Sequence, residues 1–75
     1  MNKNKPLLKK HSIGRKIKKL RLKLRISQDR LSKMADVALN TVVKIESDPN
    51  QNPTLGTLEK FARALGVSVA QLIGA

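Results

Sequence analysis

From Ile13 onward the apolar residues return every three or four positions. At about 100° per residue, Ile13, Ile17, Leu20 and Leu24 fall in a stripe roughly 60° wide, and Lys16, Lys18, Lys19 and Lys23 point elsewhere. This spacing predicts a first amphipathic helix from Ile13 to about Leu24. Ser27 is a good N-cap and Asp29 suits the positive end of a helix dipole, which predicts a second helix from about Gln28 to Ala35 with Leu31 and Ala35 inward. After Asp36 and Val37, a third helix from about Leu39 to Ser47 turns Val42 and Ile45 inward. Its far side carries Asn40, Val43, Lys44 and Ser47. The stretch from Asp48 to Pro53, with two prolines and three side-chain amides, reads as a loop. Thr54 caps a fourth helix in which Leu55, Leu58, Phe61, Ala62 and Leu65 share a face, and Gly66 stops it. Ser68 and Gln71 form a capping box for a fifth helix ending at Ile73. No stretch alternates with period two over a useful length, so the chain is expected to be all-α with five helices.

Charge divides the chain differently. The stretch from Met1 to Arg25 holds eleven Lys and Arg and no acid, and so carries the whole net charge of +11. In the rest, five basic residues are matched by five acidic ones. A block of one sign ahead of a neutral globular segment is the footprint of a polyanion-binding protein. Residues 1–12, polar, lysine-rich and containing Pro6, read as a flexible basic N-terminal arm, with the folded domain spanning 13–75. A solubilising tail would have the same composition.

Other bulk properties exclude function classes. With 75 residues the chain is one domain with a small core. It has no Cys, and His11 is its one imidazole, so neither a metal site nor a nucleophile–base pair is expected, and an enzyme is not. No cofactor is expected either. No apolar h-region follows the basic start and no run approaches transmembrane length, which makes a soluble, cytoplasmic protein without membrane partners the expectation. Phe61, the sole aromatic residue, sits at a core spacing. Single-strand binders stack bases on exposed rings, so double-stranded DNA is favoured over single strands.

Two short helices joined by a three-residue turn, the second with a polar outer face, describe a helix-turn-helix. The run from Ile26 to Ser47, ISQDRLSKMADVALNTVVKIES, followed by Asn-Pro-Thr-Leu and Ala-Leu-Gly-Val-Ser, resembles the XRE-type domain shared by lambdoid phage repressors and Cro proteins. The likeness covers nearly everything from Ile13 to Ile73. It implies a five-helix lambda-repressor-like domain that places its third helix in the major groove.

The resemblance also implies roles for individual residues. Gln28 matches the family's phosphate-binding Gln at the start of the second helix, where backbone N–H groups already favour an anion; by itself it reads as a helix-start residue. Thr41, Asn50, Lys18 and Lys19 join it as expected phosphate ligands. Ala38, Leu39, Asn40, Val43 and Lys44 occupy base-reading positions, and helical geometry independently turns Asn40, Val43 and Lys44 outward. Asn40 suits adenine N6/N7, Lys44 suits guanine O6/N7 or a phosphate, and Leu39 and Val43 suit thymine methyl groups. For Leu39 and Val43, plain exposed aliphatic surface and contact with a protein partner stand as equal readings. Arg21 and Glu46 match a partly buried ion pair tying helix one to helix three.

The chain departs from the family at three places. Asp36 stands where Gly is usual in the turn, Ala38 replaces a capping Ser or Thr, and Asp48-Pro49 replaces a Gly-containing turn. The overall expectation is a transcriptional regulator of repressor type, nucleoid-associated when bound to DNA. Because the chain ends two residues after Ile73, any dimer should form through the domain itself, weakly, with Val69, Leu72 and Ile73 as its contacts. Two rivals are an antitoxin or coactivator-like adaptor binding a toxin or the transcription machinery through the same fold, with Leu22, Leu39 and Val43 as contacts, and a basic helix lying on an anionic membrane or in an acidic groove. The lack of interfacial Trp and Tyr argues against the membrane.

Overall fold

The structure, a computed structural model, describes residues 10–73. Five helices follow in chain order: α1 Lys10–Lys23, α2 Gln28–Ala35, α3 Leu39–Ser47, α4 Leu55–Leu65 and α5 Val69–Ile73. α1 packs against α3, α4 and α5; α2 lies between α3 and α4; and α4 also meets α5. Ile17, Leu31, Val42, Phe61 and Leu72, one from each helix, are fully buried at the centre. Phe61 is the largest of them, and its truncation to Ala would cost about 3–5 kcal/mol.

One contact fixes how closely α1 approaches α3. Gly14 lies directly on the backbone of α3, and a Cβ built on it would stand 2.0 Å from the Ile45 carbonyl oxygen. Backbone cannot swing aside as a side chain does, so hydrogen is the one substituent that fits. The helical propensity of Gly14, about 1 kcal/mol worse than Ala, is therefore traded for interhelical distance.

Three of the helices end in the same way. Arg25 (φ 59°), Asp36 (φ 58°) and Gly66 (φ 74°) are left-handed, and each is followed by a half-buried aliphatic residue, Ile26, Val37 or Val67. The amide of that aliphatic residue donates five residues back: Ile26 to the Arg21 carbonyl (3.3 Å), Val37 to Ser32 (3.0 Å) and Val67 to Ala62 (3.0 Å). This is the Schellman arrangement, which satisfies carbonyls left over at a helix end and tucks an apolar residue beneath it. The helix starts match the sequence reading. Ser27 Oγ accepts from the Arg30 amide (3.0 Å), Thr54 Oγ1 from the Thr57 amide (3.1 Å), and Ser68 and Gln71 exchange both bonds of a capping box (2.9 and 3.1 Å).

Four expectations are corrected. α1 opens at Lys10 rather than Ile13, because apolar periodicity marks where packing begins and not where helical hydrogen bonding begins. Residues 1–9 of the expected arm lie outside the described residues. Leu24 is 49% exposed instead of extending the α1 stripe: the helix stops at Lys23 and left-handed Arg25 delivers Ile26 to the core in its place. Leu55 is 62% exposed, since it opens α4 about 70° round from the mean direction of its buried face. Leu72 is 1% exposed and belongs to the core, so it is not available as a dimer contact. Among the described residues, no helix is long and apolar enough to cross a membrane.

Candidate nucleic-acid interface

α2, the turn Asp36-Val37-Ala38 and α3 form the expected helix-turn-helix. Asp36 adopts the left-handed conformation (φ 58°, ψ 50°) that the turn requires, and Lys60 Nζ of α4 donates to its carbonyl oxygen at 3.3 Å. Ala38 begins α3 in extended conformation and supplies no side-chain cap, so no side chain competes for the first-turn N–H groups of that helix.

Val42 and Ile45 are buried, and this sets the rotation of α3. Asn40 and Lys44 lie one turn apart on the opposite, exposed side. Leu39 and Val43 flank them, 44% and 38% exposed. Ser47 is exposed as well, but its hydroxyl folds back to donate to the Val43 carbonyl (2.8 Å). The face combines a two-way amide, a cation and two aliphatic surfaces, which is the range of groups that base edges and thymine methyls accept.

Behind this face lies a charged network from three helices. Arg21 of α1 donates through Nε to Glu46 Oε2 (2.7 Å) and through Nη2 to Glu46 Oε1 (3.0 Å), while its Nη1 donates to the Ile26 carbonyl (2.8 Å). Gln28 Nε2 of α2 donates to the same Glu46 Oε1 at 2.9 Å. The Arg21 and Glu46 side chains are only 9% and 3% exposed. The Glu46 hydrogen bonds hold the Arg21 guanidinium above the ordinary arginine value, against the opposing effect of desolvation and with the help of the nearby negative charge. The expected ion pair is thus present, bidentate and joined by Gln28. That third member is missing from the sequence reading, because nothing in the spacing of Gln28 and Glu46 signals a contact between two different helices.

The remaining expected phosphate ligands scatter. Thr41 is half-buried in the first turn of α3, and Asn50 is exposed in the following loop, where its amide donates to Asp48 Oδ1 (2.8 Å). Lys18 lies about 40° round α1 from Gly14, on the flank that meets α3. Lys19, a further 100° on, instead lines a groove between α1 and α5 with Lys16 and Lys23. The structure therefore brings Lys18 near the α3 side and separates Lys19 from it. On α5, Val69 is half-buried and Ile73 is 52% exposed.

Comparison with known proteins agrees with this geometry. The family described as Helix-turn-helix matches residues 17–72. The immunity repressor protein of Bacillus phage phi105 is 35% identical over 63 residues, which cover 84% of this chain and 43% of that protein, so the chain spans less than half of its relative. The N-terminal DNA binding domain of SinR from Bacillus subtilis superposes with a TM-score of 0.78 at 37% identity, covering 83% of this chain and 90% of that one. SinR in complex with DNA, described as the master regulator for biofilm formation, gives a TM-score of 0.76 at 37% identity over 80% of this chain and 95% of that one. With its two short helices, left-handed turn and bidentate interhelical ion pair, the chain belongs to the XRE-type helix-turn-helix family.

Proposed function

We propose that this protein binds double-stranded DNA in a sequence-specific manner through α3 and regulates transcription as a repressor. The observation that carries the reading is the pairing of an exposed Asn40–Lys44 face with a buried Arg21–Glu46–Gln28 network that locks α3 to α1 and α2. Readout needs side chains held on a rigid element, and the network supplies the rigidity. The likeness to a phage immunity repressor and to SinR with DNA supports the same reading.

Leu39, Asn40, Val43 and Lys44 are the base-reading residues in this proposal. Gln28, Thr41, Asn50 and Lys18 contact phosphates; Gln28 keeps a second amide hydrogen beyond the one given to Glu46. The active form is a weak homodimer through Val69 and Ile73, which places two copies of α3 about 34 Å apart on half-sites roughly ten base pairs apart. Selection of bound fragments from random duplex DNA tests the whole reading. A pseudo-palindrome with that spacing is expected, bound with a log–log salt slope of about −5 or steeper if six or more phosphates are neutralised. Failure to enrich any sequence, with the fold intact, would hand the α3 face to a protein partner.

A further inference from the structure

On another face of the molecule, α1 and α5 leave a groove of about 380 Å³ lined by Lys16, Lys19, Leu20, Lys23, Val67 and Gln71. Lys16, Lys19 and Lys23 follow one another along one flank of α1, at spacings that put them on a single edge. Leu20 and Val67, both half-buried against the core, form an apolar floor. Gln71 commits Oε1 to the Ser68 amide (2.9 Å), so its amide hydrogens are what it offers to the groove. Among the described residues, no carboxylate lines this site. Asp29 and Glu46 are engaged by Lys33 and Arg21, and Asp36, Asp48 and Glu59 sit on the turn, the α3–α4 loop and α4.

We propose that this groove docks an acidic amphipathic helical segment of a partner protein, with apolar side chains on the Leu20–Val67 floor and carboxylates against the three lysines. The chemistry selects that occupant over two others. A second copy of this chain seated groove to groove would oppose two sets of three lysines, and like charges face to face are costly. Duplex DNA that meets the lysines with its phosphates keeps its thymine methyls inside the major groove, away from the floor, and a duplex lying on α3 meets the opposite flank of α1, where Gly14 and Arg21 touch that helix. Gln71 and the dimer candidate Ile73 lie on opposite sides of buried Leu72, so docking leaves the Val69–Ile73 edge of α5 uncovered. A helix with an apolar stripe and acidic flanks matches floor and rim together.

The test uses the full chain, isotopically labelled, and an 18-residue synthetic helical peptide with Leu at i, i+4 and i+7 positions flanked by Glu. Amide shifts at Lys16, Lys19, Lys23, Val67 and Gln71 are expected, and they should persist when saturating duplex DNA is present. Lys19→Glu should weaken the peptide at least tenfold, whereas Lys18→Glu, one residue away but outside the groove, should weaken it less than twofold. Lys19→Gln serves as a milder second variant, and thermal melting verifies that each variant stays folded. A peptide with Ser in place of Leu should lose most of its affinity. Displacement of the peptide by duplex, equal loss from Lys18→Glu and Lys19→Glu, or indifference to the Leu-to-Ser change would each overturn the proposal. The peptide arm run without DNA keeps this outcome separate from the fate of the DNA-binding reading.

Discussion

The Gln28 amide and the Glu46 carboxylate meet at 2.9 Å across the gap between α2 and α3, on the same oxygen that receives Arg21 Nη2. One carboxylate thereby holds three helices, and it is buried. The Arg21→Ala variant should lower stability by about 3–5 kcal/mol, because it strands the Glu46 charge with a single amide partner. Urea denaturation measures this, and the double variant Arg21→Met with Glu46→Leu should recover most of the loss. A change below about 1 kcal/mol for Arg21→Ala would mean the pair is solvated in solution.

At an exposed helical site, Gly→Ala stabilises by about 1 kcal/mol. At Gly14 the sign should reverse. With the Ile45 carbonyl 2.0 Å from the new Cβ, α1 and α3 must separate, and overpacking of this kind costs about 1–3 kcal/mol. A lower melting temperature for Gly14→Ala is the expected result.

Arg25 is exposed and left-handed, a conformation that costs an ordinary L-residue about 1–2 kcal/mol. Arg25→Gly removes that cost but adds chain entropy to the unfolded state. The net expectation is a gain of about 0.5–1 kcal/mol by thermal or urea denaturation.

Ala38 leaves α3 without a side-chain cap. Ala38→Ser should add about 0.5–2 kcal/mol of stability, since the backbone is already extended at φ −69° and ψ 147° and needs no rearrangement to present a hydroxyl to the first turn. In the proposed DNA-bound arrangement the same hydroxyl gains a phosphate contact, so duplex affinity, measured by anisotropy titration, should rise with it.

Asn40→Ala should weaken binding to the selected site by about 1–3 kcal/mol and hardly alter binding to random duplex. Parallel titrations on the two DNAs, with melting curves to confirm an intact fold, separate readout from general affinity. Equal weakening on both would remove α3 as the reader.

Local signals in this chain are readable from the residues themselves, and tertiary ones are not, apart from the Arg21–Glu46 pair that the resemblance supplies. Ser27, Thr54, Gly66 and the Ser68–Gln71 box announce their helix ends because each acts on backbone groups within a few residues. Asp36 was readable as left-handed through the resemblance, whereas Arg25, with the same backbone and the same aliphatic follower, carries a side chain that gives no hint of it. Leu24 is misplaced because α1 stops before it, Leu55 because it lies off the centre of the buried α4 face, and Leu72 because α1 and α4 cover it. Periodicity tells which side of a helix is apolar, but not how far the neighbouring helices extend to cover it. Gly14 and the Gln28–Glu46 bond depend on helix crossings, which no spacing within a helix encodes.

The repeated terminators at Arg25, Asp36 and Gly66 bear on how the chain finds its fold. Each is closed by hydrogen bonds spanning no more than five residues, so where α1, α2 and α4 end is marked by local chemistry and not by contacts between distant parts of the chain. Stop points encoded this way narrow the conformations to be searched, and a contact such as the Arg21–Glu46 bond, between residues 25 apart, has only to bring together helices whose ends are already specified. Small helical domains dominated by such short-range contacts fold within microseconds to milliseconds. A newly made copy of this protein would accordingly spend little time with its aliphatic residues open to wrong partners.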